Sequence, residues 1–222
     1  AELTSRVKTG RVVVPAVLAV GVVNSIPKLV SSRILQPVLK SEISIRLVCR
    51  EGGLEALLGE LAVHQLDLVL SDRAIPSGLS VKAFSHALGS SDLALFAKKG
   101  STRQYEKDFP RSLDKAPILL PTIDNPIRRA LDDWFDQQEI SPTLVAEFED
   151  SALMKAFGEA GNGIFPAPAA ISAEVEHMYH CRRIGSSIPV EEKYYAISPE
   201  RKLKHPAVLK IIENARSELL LH

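Results

Sequence analysis

Four acidic side chains follow strand-like runs within one to three positions: Glu51 after residues 43–50, Asp72 after 66–70, Asp124 after 118–121 and Asp150 after 144–148. If the runs are strands, the carboxylates lie at strand ends beside helix starts. Free backbone N–H groups at a helix start can hold a small ligand or an ion pair. In open parallel sheets, ligands sit beyond the carboxyl ends of the strands. Each of these residues also suits plain helix capping or turn formation. Together with Asn24, Ser25 and Thr122 they describe a polar cleft. Between residues 144 and 180 there are six acidic residues, and Lys155 stands alone as a lysine or arginine. That balance favours a cation over an anion, although a solvated acidic face has the same composition.

Motifs for catalysis are missing. The chain has no G-x-S-x-G elbow, no P-loop and no H-E-x-x-H pair. Gly161-Asn162-Gly163 fails the dinucleotide fingerprint and suits a helix C-terminus running into a strand. No cofactor is expected. Glu174, His177 and His180 have a spacing that could meet a metal on one helix face, and equally that of a solvated surface. His64 and His86 are the candidate bases for an enzyme, and neither has an evident partner. Cys49 and Cys181 both fall in strand-like runs and are expected to be buried thiols in a reducing compartment.

The elements that position these groups alternate. Residues 16–24 form a near-continuous apolar run, as in a strand buried on both faces. Ser25 and Pro27 suit the start of the following helix, with Ile26, Leu29, Val30, Ile34 and Val38 on one face. Pro37 is expected to end or kink it early. Residues 43–50 are a second strand, Leu54, Leu57, Leu58 and Leu61 a second helix, and 66–70 a third strand. This β-α-β-α-β order implies parallel strands with right-handed crossovers.

From Pro76 the pattern changes. Residues 81–88 and 92–97 suggest a hairpin turning at Gly89-Ser90-Ser91. Residues 100–111 are polar, with at most one helical turn. Residues 118–121, 144–148 and 163–166 are further short strands. Asn125-Pro126 opens a helix with Ile127, Ala130, Leu131, Trp134 and Phe135 inward. Leu153, Ala156, Phe157 and Ala160 mark another helix. Residues 182–184 and 193–198 suggest two separate strands, and Pro206 opens the last helix. The expected class is α/β with two subdomains: residues 12–75 and 168–222 form the first, and 76–167 are inserted as the second. Two crossovers then flank a cleft.

The 222 residues are 45% hydrophobic and 24% charged, ordinary values for a globular protein. The 27 basic and 27 acidic residues cancel, which argues against a surface that binds nucleic acid by itself. No run of 18 apolar residues is present, so no membrane span is expected.

Leu66-Asp67-Leu68-Val69-Leu70-Ser71-Asp72, residues 148–158, Ile164-Phe165-Pro166-Ala167-Pro168 and His205-Pro206-Ala207-Val208 carry a resemblance. The chain resembles the effector-binding domain of LysR-type transcriptional regulators over nearly all of residues 17–220. Within that family it is similar to an activator of sodium/proton antiporter genes, with the run Met154-Lys155-Ala156-Phe157-Gly158 the most specific stretch.

The resemblance implies a fold like the type 2 periplasmic binding proteins and a cytoplasmic regulator. It implies an N-terminal winged helix-turn-helix outside this chain, through which alone operator DNA is bound. It implies an effector site at Asn24, Ser25, Glu51, Gly52, Asp72, Thr122, Asp150 and Phe165, taking a small effector or Na⁺. Carboxylate and carbonyl oxygens suit a hard cation. The acidic lining departs from relatives that bind aromatic acids. A side-by-side homodimer is also implied, in which Trp134 is either interface or core. The competing readings are an exported solute-binding protein of the same fold and a small α/β enzyme.

Overall fold

A computed structural model describes residues 15–219. The expected domain limits at 12 and 222 lie outside the described residues. Strand β1 (Ala16–Val23) pairs in parallel with β2 (Ile45–Gly52) on one side and β3 (Leu68–Ser71) on the other. Helices α1 (Lys28–Leu39) and α2 (Leu54–Ala62) make the crossovers. Leu18, Val20, Val22, Leu68, Val69 and Leu70 are buried, as central parallel strands require.

Helix α1 runs through Pro37 rather than stopping there. A proline cannot donate to the carbonyl four residues back, here Arg33. That carbonyl is taken instead by Asn214 Nδ2 at 3.1 Å, from the last helix, α7 (Pro206–Leu219). A tertiary hydrogen bond therefore supplies what the local sequence lacks.

The expected hairpin at Gly89 does not form. Residues 84–98 are one 15-residue strand, β4 (Phe84–Lys98), and the glycine marks a register shift between Ala87 and Gly89. The two expected strands at 182–184 and 193–198 are likewise one, named β8 below (Cys181–Ser198). β4 and β8 pair antiparallel along most of their length, which straightens what their sequences alone would break.

Between them lie α3 (Arg103–Glu106), β5 (Pro117–Pro121), α4 (Pro126–Gln137), β6 (Thr143–Phe148), α5 (Ser151–Ala160), β7 (Phe165–Pro168) and α6 (Ser172–Met178). The main sheet has the order β2-β1-β3-β8-β4-β7, and β5 pairs in parallel with β6. Leu119 N–H to Ile164 C=O at 2.7 Å and Ile164 N–H to Pro117 C=O at 2.8 Å stitch β5 to the entry of β7.

The fold is mixed α/β in two subdomains. One is built on β1–β3, α1, α2 and α7. The other is built on β5–β7, α4 and α5, with the distal halves of β4 and β8. β4 is buried on both faces there: Ala94 and Phe96 join the larger core, and Leu93, Leu95 and Ala97 join a smaller one with Leu131, Trp134, Phe135 and Ile184. Trp134 is thus a core residue, 5.4 Å from Phe135 and 6.4 Å from Phe109 between ring centres.

Cys181 is buried, and burial pushes its thiol up to about 12. Cys49 is exposed, contrary to expectation. It lies on β2, the edge strand of the main sheet, none of whose residues is fully buried.

Candidate functional site

The C-terminal ends of β1, β2, β5 and β6, with the segment that follows β3, converge on one cleft of about 560 Å³. Its walls include Asn24, Ser25, Gly52, Gly53 and Arg73 from the first subdomain, and Thr122, Asp124, Asn125 and Glu149 from the second. Of the eight residues expected at an effector site, Asn24, Ser25, Gly52 and Thr122 line this cavity.

Glu51 and Asp150 stand on opposite sides of the gap and share one cation. Lys28 Nζ lies 2.6 Å from Glu51 Oε2 and 3.4 Å from Asp150 Oδ2. Asp150 also caps α5, its Oδ1 accepting from the amides of Ala152 at 2.6 Å and Leu153 at 3.1 Å. Burial alone would raise the Asp150 carboxyl. The two amides and the ammonium outweigh it and hold the group below the usual carboxylate range. Burial likewise works against the charge of Lys28, and its two carboxylates still leave it above the ordinary lysine value.

Asp72 is buried behind the cleft wall, where it accepts from Ser25 Oγ at 2.5 Å and Arg73 Nε at 3.0 Å. Phe165 is fully buried, stacked on Phe96 with ring centres 5.7 Å apart, and lies in the core below the cleft. Asp124 lies on the rim, held below its ordinary value chiefly by the Thr122 hydroxyl.

Lys28 was not expected at the site. A lysine in the first turn of a helix opposes the helix dipole. That misfit is the sequence signal that an anionic partner awaits it. Two further titratable groups sit deeper. Lys155 is 2% exposed and Glu192, on the crossing part of β8, is 5% exposed. Burial lowers the lysine to about 8 and raises the glutamic acid to about 8. Strand alternation through Ile188, Val190, Glu192, Tyr194 and Ala196 turns Glu192 inward.

The possible metal trio does not assemble. Glu174 pairs with Arg33, and His180 Nδ1 lies 2.7 Å from Glu159 beyond the end of α6. Among the described residues no cluster of three or more His, Cys, Asp or Glu side chains could hold a metal ion. The ring of His86 meets Ser198 Oγ at 2.9 Å, and His64 lies on a different cavity with Leu66 and His205. No described helix is long and apolar enough to cross a membrane.

Known proteins match this chain in sequence and fold. The LysR substrate binding domain family matches residues 15–220. The transcriptional activator protein NhaR of Escherichia coli (strain K12) is 34% identical over 200 residues, which cover 90% of this chain and 65% of that protein. The chain therefore spans about two thirds of that relative's length. The LysR family regulator CbnR superposes with a TM-score of 0.70 at 17% identity, covering 90% of this chain and 69% of that one. The effector binding domain of QuiR in complex with shikimate gives a TM-score of 0.66 at 15% identity, covering 94% and 99%. These structures show the same fold, that of the type 2 periplasmic binding proteins. With a family match across almost its whole length, the chain belongs to the LysR family of transcriptional regulators as a substrate-binding domain.

Proposed function

We propose that this domain senses an effector for a transcriptional activator that responds to sodium and controls sodium/proton antiporter genes. The observation that carries the reading is the cleft itself, walled from both subdomains at strand ends, in a chain 34% identical to NhaR over 90% of its length. The proposed effector residues are Asn24, Ser25, Glu51, Gly52, Asp72, Thr122, Asp150 and Phe165.

A ligand that touches both subdomains favours one angle between them, and it shifts that equilibrium by its difference in affinity for the two states. Any cation drawn to Glu51 and Asp150 meets Lys28 as a competitor, because the ammonium already holds both carboxylates. Operator DNA is engaged through a separate N-terminal domain, in the cytoplasm and as a homodimer.

Calorimetric titration of the purified chain with NaCl against KCl, at fixed ionic strength, tests the sodium assignment. Heat specific to sodium is expected. An equal response to both salts removes sodium as the effector and leaves the regulator reading in place.

A further inference from the structure

Behind the cleft lies a narrow chamber of about 20 Å³. Ser25, Asn125 and Glu149 line both spaces, so the chamber opens off the cleft. Its inner walls carry Lys155, Ser151 and Glu192. Lys155 Nζ donates to the Ser151 carbonyl at 3.1 Å, which uses one of its three N–H donors. Ser151 Oγ is buried with no hydrogen-bond partner among the described residues. Glu192 is buried and forms no ion pair within 4.0 Å among the described residues, and Asp72, the Tyr194 hydroxyl and Lys155 act on it.

Below about pH 8 Lys155 is an ammonium and Glu192 a neutral carboxylic acid, so both walls present donors and a cation is repelled. A water molecule fits this set: its two lone pairs accept from the ammonium and from the Glu192 carboxyl O–H, and it can donate to Ser151 Oγ, which has no other partner among the described residues. The volume suits one water molecule, which needs roughly 10–15 Å³ and two to four polar partners. We propose that the chamber is a hydrogen-bonding subsite of the cleft, holding one water molecule between Lys155, Ser151 and Glu192. The guest ties α5 of the second subdomain to the crossing strand β8. The displaced values of the two titratable groups accord with this: each is buried, and among the described residues neither has an opposite charge within 4.0 Å.

This inference stands apart from the sodium reading, since sodium bound elsewhere in the cleft leaves it intact. The test is a crystal structure of this chain at a resolution that shows ordered solvent, with separate rubidium and bromide soaks. The expected result is one peak within about 3 Å of both Lys155 Nζ and a Glu192 carboxyl oxygen. That peak gives no anomalous signal after either soak and is lost in Lys155→Met crystals. A rubidium or bromide signal at the position overturns the proposal. So does the absence of any peak there in the native crystals, which need no variant to fold.

Discussion

Lys28 and Asp150 meet beside the cleft, 3.4 Å from nitrogen to oxygen, Lys28 in the first turn of α1 and Asp150 as the N-cap of α5. The same ammonium holds Glu51 at 2.6 Å. One side chain therefore joins the two walls, and each acidic partner comes from a different strand end.

Replacing Lys28 by methionine removes that competitor. Because the pair is partly solvent-exposed, the loss of stability should stay below about 1 kcal/mol. Sodium affinity should rise, by up to about fivefold if ~1 kcal/mol of competition is relieved. Calorimetry with NaCl and KCl measures the change. Unaltered sodium binding in Lys28→Met would place the ion away from Glu51 and Asp150.

Asp150 has two separable roles, cap and charge. Asp150→Ala loses both and should cost about 1 kcal/mol in urea denaturation. Asp150→Asn keeps the cap and should recover most of that stability. A sodium response that vanishes in Asp150→Asn while stability is retained would assign the charge to sensing.

Glu192 and Lys155 give opposite slopes of stability against pH. Folded Glu192 keeps its proton to about pH 8, whereas the unfolded side chain releases it near 4.5. The native state then binds more protons in that window, so stability falls as pH rises through it. Folded Lys155 loses its proton near 8, whereas the unfolded side chain keeps it to 10.5. Here the unfolded state binds more protons, and stability rises with pH above 8. Melting temperature against pH should thus dip near pH 8. Glu192→Gln should flatten the acid limb and Lys155→Met the alkaline one. Unchanged limbs in these variants would show that other groups set the profile.

Gly158 lets α5 lie directly on Phe165. A methyl group there would stand 2.1 Å from Phe165 Cδ1. Gly158→Ala should cost about 1–3 kcal/mol by overpacking. Adding Phe165→Leu should return part of it, and chemical denaturation of the single and double variants shows whether the two positions are coupled.

Periodicity and capping signals carried much of the fold. The alternation of β1, α1, β2, α2 and β3 follows from apolar spacing, and Asn125-Pro126 marks the start of α4 through its own side chain, Oδ1 accepting from Ile127 N–H at 3.1 Å. What local pattern could not convey was tertiary rescue. Pro37 stays helical because Asn214 takes the carbonyl it leaves free, 181 positions away from Arg33. Gly89 stays in a strand because β8 runs beside it. At the cleft, strand-end polarity pointed to Asn24, Ser25, Thr122 and Asp124, and the family resemblance to Gly52. The ion pairs and buried titratable groups were less legible. Nothing local links Lys28 to Asp150, and Glu192 is hidden in the charged run Glu191-Glu192-Lys193 unless its strand phase is followed from Ile188.

The two subdomains are joined by a ribbon of two paired strands, β4 and β8. Such a ribbon resists sliding, because a slip of one residue would turn every side chain to the opposite face. It accommodates twist readily, since paired strands are twisted already. The soft coordinate left to the molecule is a rotation of one half about the ribbon axis, like a torsion bar. If the cleft takes an effector as proposed, its binding would be converted into an angle, and a neighbouring chain would receive the message as a change of orientation rather than of distance.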